Sequence, residues 1–262
     1  MVIVSPHLVN KYLDRYSLLR RAWNMLEDDI EVQQLLRMSN VMAVTRLRYN
    51  DHGPVHARIV AGSALEIFDL LVKGGVQPTT IRDNIVTSIE ESMLIVLLAA
   101  YLHDIGNSIH RDEHELHGYV LAKDILNRIL PELIDSRHRM YSIRQEILHA
   151  IYSTDYNVRC LTVEAGVVKI ADGTDMAEGR ARVPYRLGKI DMHSVSALSV
   201  KRVDIEKGEA RPVRINVYMT DKAGLFQVLE VLMPKIYTSN IGKFFEIAVY
   251  VNESELTTYT PE

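Results

Sequence analysis

Eight of the ten histidines in this 262-residue chain lie between positions 52 and 149. Imidazoles gathered this way, with aspartates among them, are the donor set of a metal centre or of proton-transfer chemistry. The sharpest feature is the doublet His103–Asp104, which closes the apolar run Met93–Leu102 and is followed at once by Ile105 and Gly106. A buried carboxylate is costly unless something positive pairs with it, and no Lys or Arg stands beside this one in the chain. Asp172 repeats the pattern at the end of Val167-Val-Lys-Ile-Ala-Asp. One such aspartate could serve as a helix cap. Two of them call for a cation.

The other candidates have bland readings when taken singly. His56 stands just inside a helix start and could be a capping or surface histidine. His52, four residues earlier, could be a turn histidine, although an early helical turn would put the two on one face. His110, His114 and His117 are spaced i, i+4, i+7 and line one helical stripe. A solvated face accounts for His110 and His117, and spacing alone does not separate His114 from His117. His149 lies on the apolar side of Ile143-Arg-Gln-Glu-Ile-Leu-His. Beyond Asp172 come Arg180, Arg182, Arg186 and Lys189, which either solvate a loop or contact an anion. Lys169, three residues before Asp172, is placed to share its helix face, and Arg58 and Arg111 stand nearer the histidines in sequence.

These residues need helices to bring them together, and the apolar periodicity predicts them. Residues 9–38 read as one or two helices. Asn50-Asp-His-Gly followed by Pro54 is a helix start, and the helix it opens stops at Lys73-Gly74-Gly75. Further helices are predicted over 84–104, 112–130, 141–153 and 162–171. The pattern changes near 197: residues 196–205 and 211–219 alternate as a hairpin, 222–236 read as helix, and 244–251 as a final strand. The fold class is therefore mainly α, with a helical domain over 1–195 followed by a small α+β unit (β-β-α-β) over 196–262.

Composition narrows the setting. Charged residues make up 24% of the chain and the net charge is -4, so bulk electrostatics do not point to nucleic acid as a partner. The single cysteine, Cys160, excludes an internal disulfide framework and fits a reducing cytoplasm. The first residues lack the pattern of a signal peptide, and the longest apolar run falls short of the ~20 residues that a membrane-spanning helix needs. A cytoplasmic protein with no membrane partner is expected.

The order His56, His103-Asp104, His114, His149, Asp172 resembles the HD superfamily of metal-dependent phosphohydrolases, over about residues 48 to 176. The doublet behind an apolar helix, the upstream His56 with Val and Ala following it, and Lys169-Ile-Ala-Asp downstream carry the resemblance together. It implies that His56, His103, Asp104 and Asp172 hold one divalent ion. In the two-ion branches, histidines matching His114 and His149 hold a second, with Asp104 bridging; the chain has both, so the resemblance favours a two-ion centre. Imidazole and carboxylate ligands suit Mn, Fe, Zn, Co or Ni. Such a centre lowers the pKa of a water and neutralises charge that builds on phosphoryl oxygens. Asp104 and His52 are then the catalytic candidates. Tyr49-Asn-Asp-His-Gly-Pro-Val-His is similar to the cyclic-nucleotide phosphodiesterase arrangement, in which the earlier histidine supplies the leaving group's proton, although Gly53 stands where that arrangement has Asn. Arg180, Arg182 and Lys169 are the candidate substrate contacts.

The branch is narrowed by what is missing. The residues after His149 lack the Gly-Tyr-Pro signature of the cyclic-di-GMP enzymes, and Asn107 replaces their usual Lys. Asp112-Glu113 is in the wrong order and place for the alarmone hydrolases. A small phosphorylated substrate, a nucleotide or another phosphate ester, is the expectation. The alternative is a metal-bound sensor or scaffold, with the C-terminal unit as its regulatory part; Asp221-Lys-Ala-Gly-Leu-Phe-Gln-Val is similar to the strand-to-helix turn of ACT regulatory domains over half of such a domain. A three-stranded sheet is marginal alone, so a homodimer is expected.

Overall fold

A computed structural model describes residues 1–178 and 192–262. Its centre is the helix spanning Ile89–Leu102, α6, in which every residue from Met93 to Leu102 is buried. A helix that is apolar all round has to lie inside other helices. α2 (Ser17–Asp28), α4 (Pro54–Lys73), α8 (Arg137–Tyr152) and α9 (Val163–Thr174) pack around it. Ser88 starts α6 by accepting the Glu91 N–H at 3.2 Å, and Thr162 starts α9 by accepting the Ala165 N–H at 3.1 Å, as side-chain caps do. Pro54 opens α4 and Gly74 follows its last residue, as the sequence predicts.

Residues 9–38 make three helices rather than one or two: α1 (Asn10–Leu13), α2, and α3 (Ile30–Asn40). The second break is local chemistry. Asp29 is extended, with ψ at 110°, and its carboxylate accepts the N–H groups of Glu31 and Val32 to begin a new helix. A π-helical turn, Val41–Arg46, follows α3. α5 (Thr79–Arg82) is short, and α7 spans His114–Ile129.

The C-terminal unit follows the expected order and is larger than expected. α10 (Met192–Ser199) leads into β2 (Val200–Glu206) and β3 (Val213–Met219), then a π-helical segment Gln227–Leu232, α11 (Met233–Thr238), β4 (Phe245–Val251) and β5 (Ser254–Tyr259). The first residues, β1 (Val2–Ile3), complete a five-stranded sheet of order β1-β2-β3-β4-β5. β3 and β4 are parallel, with Ile215 opposite Ile247 and Val217 opposite Val249. A parallel pair needs a crossover, which the helical segment 222–238 supplies; the remaining pairs are antiparallel. The chain's first strand thus lies in the far unit's sheet, and the division expected at 195–196 falls within α10. One face of the sheet (Val203, Ile205, Val213, Ile215, Val217, Phe245, Ile247) joins the same buried cluster as the helices.

α9 and α11 make the contact that matters for the site. A Cβ at Gly173 would lie 3.0 Å from a Leu232 methyl and 3.2 Å from the Lys235 Cδ. The missing side chain lets α11 lie close to α9 just where Asp172 emerges.

Candidate metal centre

Three helices deliver four donors to one point. His56 comes from the first turn of α4, His103 from the end of α6 with Asp104 just after it, and Asp172 from the last turn of α9. The rings of His56 and His103 have centroids 5.2 Å apart. His56 Nε2 lies 3.2 Å from Asp104 Oδ2 and 3.1 Å from Asp172 Oδ1. His103 Nε2 lies 3.5 and 3.6 Å from the same two oxygens. His56, His103 and Asp172 offer ligand atoms all within 4.8 Å of one another, as do His52, His56 and Asp104.

The outer nitrogens fix how the rings are turned. His103 donates Nδ1–H to the Ala100 carbonyl at 2.8 Å, which turns Nε2 toward the carboxylates. That nitrogen is buried and has no hydrogen-bond partner among the described residues. His56 donates Nδ1–H to Asp175 Oδ2 at 2.7 Å, which turns its Nε2 toward Asp104 and Asp172. A buried polar atom without a partner costs free energy, and a cation between His103 Nε2 and the carboxylates removes the cost. Two imidazoles with second partners and two carboxylates fit a divalent ion.

The electrostatics agree. Burial would raise Asp104, but His103, His52 and His114 hold it well below the usual carboxylate range. Burial would raise Asp172 too, and Lys235, His103 and His56 hold it low. Both are therefore ionised and ready to ligate.

Gly106 lets α7 reach the centre: a Cβ there would lie 1.9 Å from the His114 carbonyl oxygen. Glu113 takes φ 57°, in the left-handed region, so that α7 can begin at His114. His114 Nε2 comes within 3.4 Å of Asp104 Oδ1, while His110 is exposed and His117 half-exposed; of the two histidines that spacing left open, His114 is the one at the site. His52 also arrives, donating Nδ1–H to Asp104 Oδ2 at 2.6 Å while its backbone N–H is held by Asn40 Oδ1 at 2.8 Å.

Two expected residues are turned elsewhere. His149 Nδ1 faces Ser153 Oγ at 3.2 Å and its Nε2 accepts the Leu161 N–H at 3.2 Å. Lys169 is fully buried, its ammonium bonded to the Val158 carbonyl and to Thr238 Oγ1 at 3.0 Å, so it ties helices together and does not face the centre. Arg180 and Arg182, with Arg186 and Lys189, lie outside the described residues. Arg58 pairs with Glu27 at the surface side of α4.

Three groups at the site were not singled out from sequence. Asp175 orients His56; its place three residues after Asp172, one helical turn on, was the available signal. Glu115 faces His114 Nδ1 at 3.0 Å. Lys235 reaches in from α11 and pairs with Asp172 Oδ2 at 2.7 Å, with the Tyr156 ring 4.3 Å from its nitrogen. Nothing in sequence links positions 172 and 235. Part of the cation demand inferred for Asp172 is thus met by a lysine.

Among the described residues no helix is long and apolar enough to cross a membrane. The sequence model of the HD domain family matches residues 56–177. An uncharacterized protein of Methanocaldococcus jannaschii is 46% identical over 225 residues, covering 86% of each chain. No solved structure matches.

Proposed function

The chain belongs to the HD superfamily, and from that premise we propose that it hydrolyses a phosphate ester, of a nucleotide or another small phosphorylated metabolite, in a metal-dependent reaction. The observation that carries this reading is His103 Nε2, buried with no hydrogen-bond partner among the described residues and 3.5 and 3.6 Å from oxygens of two ionised carboxylates. His56, His103, Asp104 and Asp172 would hold the ion. When bound, a divalent ion makes a water nucleophilic near neutral pH and offsets charge on the phosphoryl oxygens.

The protein's own part is orientation and proton transfer. Asp175 and the Ala100 carbonyl each hold an imidazole with its Nε2 inward. Asp104 is placed to ligate and, through Oδ2, to orient His52. His52 is the proton donor to the leaving oxygen in this reading: its ring sits at the rim of the centre with only 11% of its side chain exposed. We place a homodimer here as well, formed through the sheet, whose edge strands are the two-residue β1 and β5.

Phosphate release from a panel of nucleotides and small phosphoesters with added Mn²⁺ tests the reading. The wild type should turn over at least one class of ester, Asp104→Ala none, and His52→Asn should lose ~10²–10⁴-fold in rate with metal retained. The second reading, a metal-bound sensor or scaffold, is favoured by the Lys235–Asp172 pair, which couples the C-terminal unit to a candidate ligand. Metal bound without turnover across the panel would select it.

A further inference from the structure

The atoms that a second ion would use are already engaged. Asp104 Oδ1, the oxygen left over from the His56 and His103 side, accepts the Asn107 amide at 3.0 Å. His149 Nε2 accepts the Leu161 N–H at 3.2 Å and so has no lone pair to give. His114 Nε2 lies 3.0 Å from an Arg111 guanidinium nitrogen and 3.4 Å from Asp104 Oδ1. If His114 is neutral, the arginine donates to that nitrogen. If it is charged, its own proton sits there and points at Asp104. In neither state is the lone pair open. Asp172 Oδ2 carries the Lys235 ammonium, whose positive charge opposes a second cation there. The contrast is His103 Nε2, the one ring nitrogen at the centre with no hydrogen-bond partner among the described residues.

Arg111 is itself unusual. Its half-buried guanidinium bonds Asn107 Oδ1 at 3.2 Å and lies 3.0 Å from His114 Nε2, and among the described residues no carboxylate forms an ion pair with it. A guanidinium placed this way is an anion receptor, and its fork of N–H groups matches two phosphoryl oxygens. Asn107 serves both sides, its amide on Asp104 and its carbonyl on Arg111, so the arginine is held against the carboxylate that faces the first ion.

We propose that the centre takes one divalent ion, not two, and that Arg111 occupies the place beside His114 that a second ion would need, meeting the phosphoryl group with its guanidinium. The inference rests on the phosphohydrolase reading for the identity of its anion, and it names the protein group that handles that anion.

The test uses the full chain, Mn²⁺ and inorganic phosphate. Calorimetric titration should give one Mn²⁺ per chain, with the electron paramagnetic resonance signal of an isolated ion. Two Mn²⁺ with a spin-coupled signal would overturn the proposal, as would no Mn²⁺ binding at all. Phosphate should bind the Mn²⁺-loaded wild type. Arg111→Ala should keep one Mn²⁺ and weaken phosphate by about 10- to 100-fold, the value of a charged hydrogen bond. Arg111→Lys, which keeps the charge, should recover part of the loss and guards against a folding defect in the alanine variant. Phosphate affinity equal in all three proteins, or absent from the wild type, removes Arg111 from this role. One Mn²⁺ and Arg111-dependent phosphate binding without hydrolysis of any ester would leave this inference standing and defeat the enzymatic reading.

Discussion

Two groups of carboxylates in this chain behave in opposite ways. At the metal centre Asp104 and Asp172 are held far below the usual carboxylate range, because imidazoles and a lysine face them. Around the start of α9, Glu164 and Glu146 form no ion pair among the described residues. Glu164 accepts Thr80 Oγ1–H at 2.6 Å and the Thr80 N–H at 3.1 Å, yet burial still raises it. Glu146, with Glu164 and Asp83 nearby, is pushed up to about 7 by burial and by their charges, and its Oε2 has no hydrogen-bond partner. Burial alone makes a carboxylate hold its proton. Only the group ringed by nitrogen donors keeps ionised oxygens that a metal can use.

Removing the cation from the first group should make it resemble the second. Lys235→Met leaves Asp172 buried without its ammonium, and breaking such a pair costs about 3 kcal/mol or more. Chemical denaturation without metal should show that loss, and saturating Mn²⁺ should shrink it, since either cation compensates the carboxylate. A loss unchanged by Mn²⁺ would mean that the lysine and the ion do not share Asp172.

A smaller effect is expected one shell out. Asp175→Asn keeps the shape beside His56 but weakens its hold on Nδ1–H, and ~10- to 100-fold in Mn²⁺ affinity should go with it. Titration calorimetry reads this directly; an unchanged constant would make Asp175 a helix-end residue and nothing more.

The smallest effect belongs to the second group. Glu146 has its folded-state pKa raised from 4.5 to about 7. A raised value means that protonation favours the folded chain, so the contribution is full below pH 4.5 and is lost as pH rises through about 7. Glu146→Gln removes that dependence. Its melting temperature should exceed the wild type's at pH 8 and match it at pH 5; equal curves at both would show that Glu146 is solvated and titrates normally.

The helical part of the fold was legible because its periodicity is strong. α6 reads as a buried helix from Met93–Leu102 alone, and Pro54 and Gly74 mark the ends of α4. β1 and β5 were not legible: two residues cannot show alternation, and Ser254–Tyr259 is a largely polar edge strand with no buried residue, so it carries no apolar face to read. The donor set His56, His103, Asp104, Asp172 could be read because each member closes or opens an apolar helix. Lys235 could not, since its position depends on how α11 packs into the gap at Gly173. His149 stands on a helix face as periodicity predicts, but its ring direction is set by Leu161, which no pattern in its own helix reveals.

The most direct test of the metal centre is the Mn²⁺ that the chain retains through gel filtration, measured for the wild type and for His103→Ala. Among the described residues the Nε2 of His103 makes no hydrogen bond, so truncating the ring should remove a ligand. Stoichiometric Mn²⁺ is expected in the wild type and none in a still-folded variant. Equal retention by both proteins would contradict it.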